Sequence, residues 1–429
     1  MKKLTILCFF LSSLIFSQDF NSVWNNGFKT TSSDGDFKLK FGGRIMYDYA
    51  FWNTNFNGTK ESFNGSEFRR VRLFNSGQVY KNVKYKIQFD FAGEEVSFKD
   101  VYMEITKVPF LGNIKIGHFK EPFRLEALTS SKYITFMERG LPIAFSPERN
   151  VGLMLHNSFL DNKLSIQAGI FQHGLNQGPQ NDGDGDFGDN RKITSRITFL
   201  PINKNDQLLH LGIGFSNRKW SDNTYSVSTR PENHLGNKLI TAGVSNVEYT
   251  NLLGTVIAWV IGPLSIQGEY VITSVNANET INLTSYYGQI SYFITGENRQ
   301  YKNSLAGFDR VSPSKNMGDG GLGALELAAR YSSMDLSEAE TGTGGILNDI
   351  TLGLNWHLNP CTRIMFNYVI GKADVNTPEI IGDFSVDPGN SSIYENTFQM
   401  RIFLSLGNVS RFSPPFQICR SVLRVCHLP

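Results

Sequence analysis

The octapeptide KYKIQFDF, Lys84 to Phe91, alternates strictly: Tyr85, Ile87, Phe89 and Phe91 fall on one face of an extended chain, and Lys84, Lys86, Gln88 and Asp90 on the other. One face is apolar and largely aromatic, the other charged, so such a strand needs two different surroundings. The same period recurs over Leu39–Tyr49, Arg70–Tyr80, Val101–Thr106, Lys163–Phe171, Leu209–Phe215, Leu264–Val271, Ile350–Leu358, Ile364–Ile370 and Phe398–Ile402. A β-sandwich has this period too, and connection lengths separate the two folds. Short links at Lys81-Asn82, Asp161-Asn162, Gly262-Pro263 and Asn359-Pro360 alternate with polar excursions over Asn53–Glu67, Lys120–Asn150, Gln172–Arg191, Lys219–Gly243, Thr295–Gly321, Ser333–Asn348 and Lys372–Ser392. Turns at one end and loops at the other predict an all-β fold, a transmembrane antiparallel β-barrel of about sixteen strands, wide enough for an aqueous channel.

Composition agrees. The chain has 429 residues, 13% aromatic and 19% charged, with 40 Gly and a mean hydropathy of -0.22. No 18-residue apolar run follows the N-terminus, which excludes a bundle of membrane helices and leaves a barrel open, since its strands average lipid-facing with lumen-facing residues. With 41 Lys+Arg against 39 Asp+Glu, a net charge of +2, no nucleic-acid partner is expected. Lys2, Lys3, the apolar run Leu4–Phe16 and the exit Ser17-Gln18 read as a cleaved secretory signal over residues 1–17, with barrel over 18–402 and an atypical tail over 403–429. YENTFQMRI (Tyr394–Ile402) starts a closing strand, after which Pro414-Pro415, Cys419 and Cys426 break the pattern; a frame change near Ile402 and a natural extension both remain open.

Chemistry-bearing patterns are few. Cys8 leaves with the signal, and Cys361, Cys419 and Cys426 have neither disulfide nor metal-ligand spacing; no cofactor or metal is expected. Asp182, Asp184, Asp186 and Asp189 fail the calcium-loop register, with Phe187 where Gly is required and Ile193 at the twelfth position. His156 and Ser158 share a strand face without a third group, so the chain is read as no enzyme. No plug domain is evident, and no energy coupling is expected. Turning the polar faces inward places Lys38, Lys40, Arg44, Arg70, Arg72, Lys84, Lys86, Lys115, Lys163, Arg196, Arg330, Arg363 and Arg401 in the lumen, against Asp48, Asp90, Glu104, Glu269 and Glu326. The balancing acids are then expected in loops such as NDGDGDFGD. A basic pore between low-dielectric walls attracts anions.

Seven ordered stretches carry a family resemblance: EFRRVRL (Glu67–Leu73), YKNVKYKIQFDFA (Tyr80–Ala92), GHFKEPFRLEALTSSKYITFMERGLP (Gly117–Pro142), SPERNVG (Ser146–Gly152), TGENRQY (Thr295–Tyr301), LELAARYSSMDL (Leu325–Leu336) and TLGLNWHLNP (Thr351–Pro360). Together they resemble the porin O/P family, the phosphate-selective porins, in its Bacteroidetes-type branch. The resemblance implies a homotrimer in the outer-membrane lipid, inserted by the barrel-assembly machinery, with passive uptake of small anions such as phosphate or polyphosphate. It also implies an inward-folded constriction loop, here Lys120–Asn150, with a helix-compatible core around Ser131–Arg139 and Pro122, Pro142 and Pro147 at its ends. By that resemblance Arg139 lines the constriction, Lys302 belongs to the anion-binding cluster, and Lys40, Lys84 and Lys115 line the vestibule. Arg70 falls on the paired arginines of the second strand, and strand parity adds Arg72. Ala127 and Ser312 stand where the resembled porins carry lysines, and Lys99, beside Asp100, where they carry an acid; Lys99, Arg310 and Lys315 are the candidate substitutes. Anion preference is therefore the expectation, and strict phosphate selectivity is not. A general diffusion porin and a secreted β-sandwich or adhesin without channel activity are the alternatives.

Overall fold

In this computed structural model the described residues are 20–24, 27–56, 59–172, 191–204, 206–303, 306–376, 380–381, 384–385 and 392–406. Sixteen long strands among them form one ring: β1 (Lys38–Phe56), β2 (Thr59–Val79), β3 (Val83–Asp90), β4 (Ser97–Val108), β5 (Gly112–Lys120), β6 (Arg149–Phe159), β7 (Leu164–Gln172), β8 (Lys192–Asn203), β9 (Gln207–Arg218), β10 (Tyr249–Ile261), β11 (Leu264–Asn276), β12 (Thr280–Phe293), β13 (Ala324–Asp335), β14 (Ile346–Asn359), β15 (Thr362–Asp374) and β16 (Ser392–Leu406). Each pairs antiparallel with the next, and β16 pairs with β1 from Ile393–Phe56 to Leu406–Gly43. Closure leaves no strand edge in hydrocarbon, where an unpaired backbone group is costly. A hairpin of Phe20–Trp24 and Phe28–Ser32 pairs with the start of β1.

The alternation that forms the strands also orients them. On β10, Leu253, Ile257 and Trp259 are exposed on the outside, while Thr250, Ala258 and Val260 are buried within. On β3, Ile87 is exposed, whereas Gln88 and Asp90 are buried. Apolar residues outside and polar residues inside match a wall between lipid and a filled lumen.

Several expectations are corrected. The Asn53–Glu67 excursion is mostly strand, because β1 runs to Phe56 and β2 resumes at Thr59. The Thr295–Gly321 stretch joins β12 to β13 at the end that carries the short turns, not at the loop end. The slip comes from Thr280–Phe293, a complete strand joined to β11 by a short link, which moves the next connection to the opposite end. Lys163 lies in the β6–β7 turn, just before β7. The closing strand continues past Ile402: Phe403 and Ser405 are buried, with Leu404 and Leu406 exposed. The signal segment, the Asp182–Asp189 loop, Cys419 and Cys426 lie outside the described residues.

Among the described residues, three connections enter the barrel. Residues 121–148 and 219–248 fold in from the loop end, the latter carrying a hairpin of Tyr225–Thr229 and Ile240–Val244, and 294–323 folds in from the turn end. Phe123, Leu141 and Phe145 of the first meet Tyr225, Leu239 and Ile240 of the second against Leu283, Met334 and Leu347 of the wall. This apolar core fills the side of the lumen lined by β10 to β16, and the open space is left against β1 to β7.

Candidate functional site

The inward loop 121–148 is held by charge. At its root Glu121, buried, accepts from Arg218 Nη1 at 2.9 Å, from Asn150 Nδ2 and from Thr194 Oγ1. Next, Arg124 pairs with Glu269 of β11, and Glu126 with Arg330 of β13 at 3.4 Å. Near its far end Glu138 takes a two-pronged bond from Arg69, at 2.9 and 3.0 Å, and a third from Arg401 at 2.9 Å. No helix forms over Ser131–Arg139; the helical turns are Leu125–Leu128 and Leu141–Phe145 on either side. Wall side chains explain this: Arg363 donates to the Ile134 carbonyl, Asn355 to Thr135, Arg401 to Met137 and Arg330 to Glu138. Those carbonyls would otherwise accept helical N–H groups.

Burial alone would raise the Glu138 carboxyl, but Arg69, Arg70 and Arg401 outweigh it and hold the group well below the usual carboxylate range. Such a group stabilises the fold above its unfolded value of about 4.3 and loses that contribution only as pH falls through the lower folded value. The Glu138 clamp should therefore not loosen between pH 7 and about pH 5; a conductance change in that window that is lost in Glu138→Gln would show that Glu138 titrates there and does not hold the loop.

Between this loop and β1–β7 lies an open chamber of about 320 Å³. Its lining carries eight cations: Arg44 of β1, Arg70 and Arg72 of β2, Lys86 of β3, Lys115 and Lys120 of β5, Arg139 of the loop and Arg149 of β6, against Asp100 and Glu148. Asp100 is shared by Lys86 and by Arg149 at 2.7 Å, Arg72 meets Asp90 at 2.7 Å, and Lys115 meets Glu104 at 3.1 Å. The other four have neutral partners. Arg44 Nη1 donates to Ser131 Oγ at 2.9 Å and Ser130 Oγ at 3.1 Å. Arg139 donates from Nε to the Glu126 carbonyl at 2.8 Å and from Nη2 to that of Thr129 at 2.9 Å. Lys120 Nζ donates to the Ala127 carbonyl, and Arg70 faces Met46 Sδ. Among the described residues no carboxylate stands within ion-pair distance of Arg44, Arg70, Lys120 or Arg139.

Of the residues singled out in the sequence, Arg70, Arg72, Lys115 and Arg139 meet in this chamber. Lys40 and Lys302 lie apart from it toward the turn end, where Lys40 feels the charges of Lys302, Arg310, Lys29 and Asp309. Lys84, exposed, stands across from Glu104 near the same end. Four of the inward cations serve the opposite side: Arg330 and Arg401 pin the loop, Arg363 binds its backbone, and Arg196 donates to the Ala306 carbonyl at 3.1 Å. Much of the acidic balance likewise lies inside the barrel, in Glu121, Glu126, Glu232, Glu269, Asp349 and Glu395, all buried. Lys120 and Arg149 escape strand parity because both sit at strand ends. Arg69 escapes it because a bulge opposite Met46-Tyr47 turns Arg69 and Arg70 inward together. At Gly117, with φ at +132°, a Cβ would lie 2.4 Å from the Val101 carbonyl; beyond it His118 and Phe119 are both buried and alternation stops. His156 Nε2 faces Glu104 Oε1 at 3.6 Å, so the buried acid, not Ser158, is its neighbour.

Residues 39–387 match the family of the phosphate-selective porin O and P. The chain belongs to that family. Porin O of Pseudomonas aeruginosa is 29% identical over 383 residues, covering 81% of this chain and 86% of that protein. An uncharacterised protein of Caulobacter vibrioides is 27% identical over 375 residues, 84% of this chain and 73% of the other. Among solved structures, the anion-selective porin from Comamonas acidovorans superposes with a TM-score of 0.53 at 13% identity, over 86% of this chain and 99% of that one, and shares the barrel fold. This phosphate-selective porin O and P member is thus an outer-membrane porin, and its homologues in the family are channels. Its lining, eight cations to two acids, gives it an anion-selective lumen.

Proposed function

We propose that small anions cross the outer membrane passively along the chamber wall formed by β1 to β6, with Arg139, Arg70, Arg44 and Lys120 as the stations that hold them. The supporting observation is that these four cations line the chamber and, among the described residues, have no carboxylate within ion-pair distance. A passing anion supplies the missing charge at each, and the series Lys115, Arg72 and Arg149, already paired, keeps the potential positive between them. Lys40, Lys84 and Lys302 extend the field to the turn end, the periplasmic side in a barrel of this kind. Ala127 and Ser312 in place of lysines leave too few converging donors for a dedicated dianion site, so phosphate passes as one anion among several. Three copies of the chain in outer-membrane lipid is the assembly that family membership implies.

Current through the purified protein in a planar bilayer tests the reading. Discrete chloride steps are expected, reduced by phosphate only at concentrations comparable with chloride. Block by micromolar phosphate would instead reveal a dedicated phosphate site, equal permeation of cations would favour a general diffusion porin, and an absence of steps would remove the channel altogether.

A further inference from the structure

We propose that a second, much smaller chamber, between the outer loop and the turn-end segment, binds one small monatomic anion, a halide such as chloride, which ties the two inward-folded segments together. It shares only Tyr133 with the lining of the open track. Four cations reach it from three parts of the chain: Lys132 from the outer loop, Arg299 and Arg310 from the turn-end segment, and Arg363 from β15. Facing them are Asp309 and Glu326, so the formal balance is +2 with Lys132 protonated and +1 with it neutral, an excess of positive charge in either state. Glu326 accepts through Oε2 from Asn355 Nδ2 at 2.9 Å, with His357 Nε2 at 3.6 Å from the same oxygen, while its Oε1 makes no hydrogen bond among the described residues.

Arg363 carries the argument. The residue is 3% exposed, its Nη1 donates to the Ile134 carbonyl at 2.9 Å, and its Nε and Nη2 hydrogens have no partner among the described residues. A buried guanidinium with unmade hydrogen bonds is expensive. Arg299 cannot supply relief: it donates to Gln267 Oε1 at 2.9 Å and stacks 3.6 Å from the Phe308 ring. The chamber holds about 20 Å³, room for one or two water-sized spheres. That space is far smaller than the 320 Å³ of the open track, which favours a monatomic ion such as chloride over phosphate with its oxygens. Water satisfies an N–H but leaves the excess charge in place, whereas a halide answers both. Burial, then Arg44 and Arg310, push the Lys132 ammonium down to about 6, which an anion beside it would counter.

The bound ion stays in place and carries no current, so the proposal stands or falls separately from the conduction reading. Crystals of the full protein grown in sodium bromide, with data collected at the bromine absorption edge, test it directly. An anomalous peak within hydrogen-bond distance of Arg363 Nε or Nη2 is expected. Thermal unfolding in detergent gives a second readout: chloride should raise the transition saturably by roughly 2 °C or more over gluconate at equal ionic strength. Lys132→Met and Arg363→Gln should abolish that difference, and Lys81→Gln, at an exposed turn, should keep it. Should Arg363→Gln fail to fold, Lys132→Met and the bromide map still decide. Bromide peaks confined to the open track, water alone in the chamber, or equal transitions in chloride and gluconate would overturn the proposal.

Discussion

Arg139→Ala should lower the anion-over-cation permeability ratio by roughly tenfold, read from the reversal potential across a salt gradient. A unit charge a few ångströms from a passing ion is worth on the order of 1 kcal/mol in water and more beside a low-dielectric wall, and about 1.4 kcal/mol corresponds to tenfold. Arg139 is a strong candidate for so large an effect because its charge is not answered by a carboxylate; it is spent on the carbonyls of Glu126 and Thr129. Those same bonds also shape the loop, so charge and shape must be separated. Arg139→Lys keeps the charge and loses the two-pronged grip; it should hold most of the selectivity while altering conductance. An unchanged ratio in Arg139→Ala would remove this residue from the pathway.

The largest effect on the fold is expected for Arg330→Met. Arg330 is the tie between three elements: it pairs with Glu126 of the constriction loop and Glu232 of the 219–248 segment, and it donates to the Glu138 carbonyl at 3.0 Å, with its guanidinium 4.3 Å from the Phe136 ring. Glu232 also accepts from Ser332 and Thr351, and its backbone N–H donates to Asp349 Oδ2 at 3.0 Å. Methionine fills the space but strands Glu232 without its cation and leaves Glu126 only Arg124, at 3.9 Å. Breaking one partner out of a buried ion pair costs about 3–5 kcal/mol. The variant should unfold at lower temperature, and its conductance should rise and become noisier as both inward segments lose their tie. Unaltered stability and unaltered current would contradict the anchoring described here.

Much of this molecule was legible in the sequence because a barrel writes its two surroundings into adjacent residues. The alternation of Lys84–Phe91 became β3 with Gln88 and Asp90 inside and Ile87 outside, and Arg70, Arg72 and Lys115 took the lumen positions their parity required. Parity fails where the pleat does. The bulge at Arg69-Arg70 and the backbone of Gly117 each reverse the count, hiding Arg69 and the residues after it. Nor does a single strand's pattern say which end of the barrel a connection occupies; one unseen strand, Thr280–Phe293, moved the 294–323 segment to the opposite end. The helix expected over Ser131–Arg139 was lost to long-range partners, wall side chains more than two hundred residues away such as Arg363 and Arg401. The division of the lumen cations into those facing the track and those tying down the loops was equally invisible, since it depends on which acids the inward segments bring.

The basic track is the centre of this account, and the sign of the reversal potential tests it most directly. With the unmodified protein in a planar bilayer and a tenfold potassium chloride gradient, the current should reverse at the potential set by chloride, showing that anions carry it. Reversal toward the potassium potential would contradict the account, because a lumen whose cations were already neutralised by their neighbours would have no reason to prefer anions.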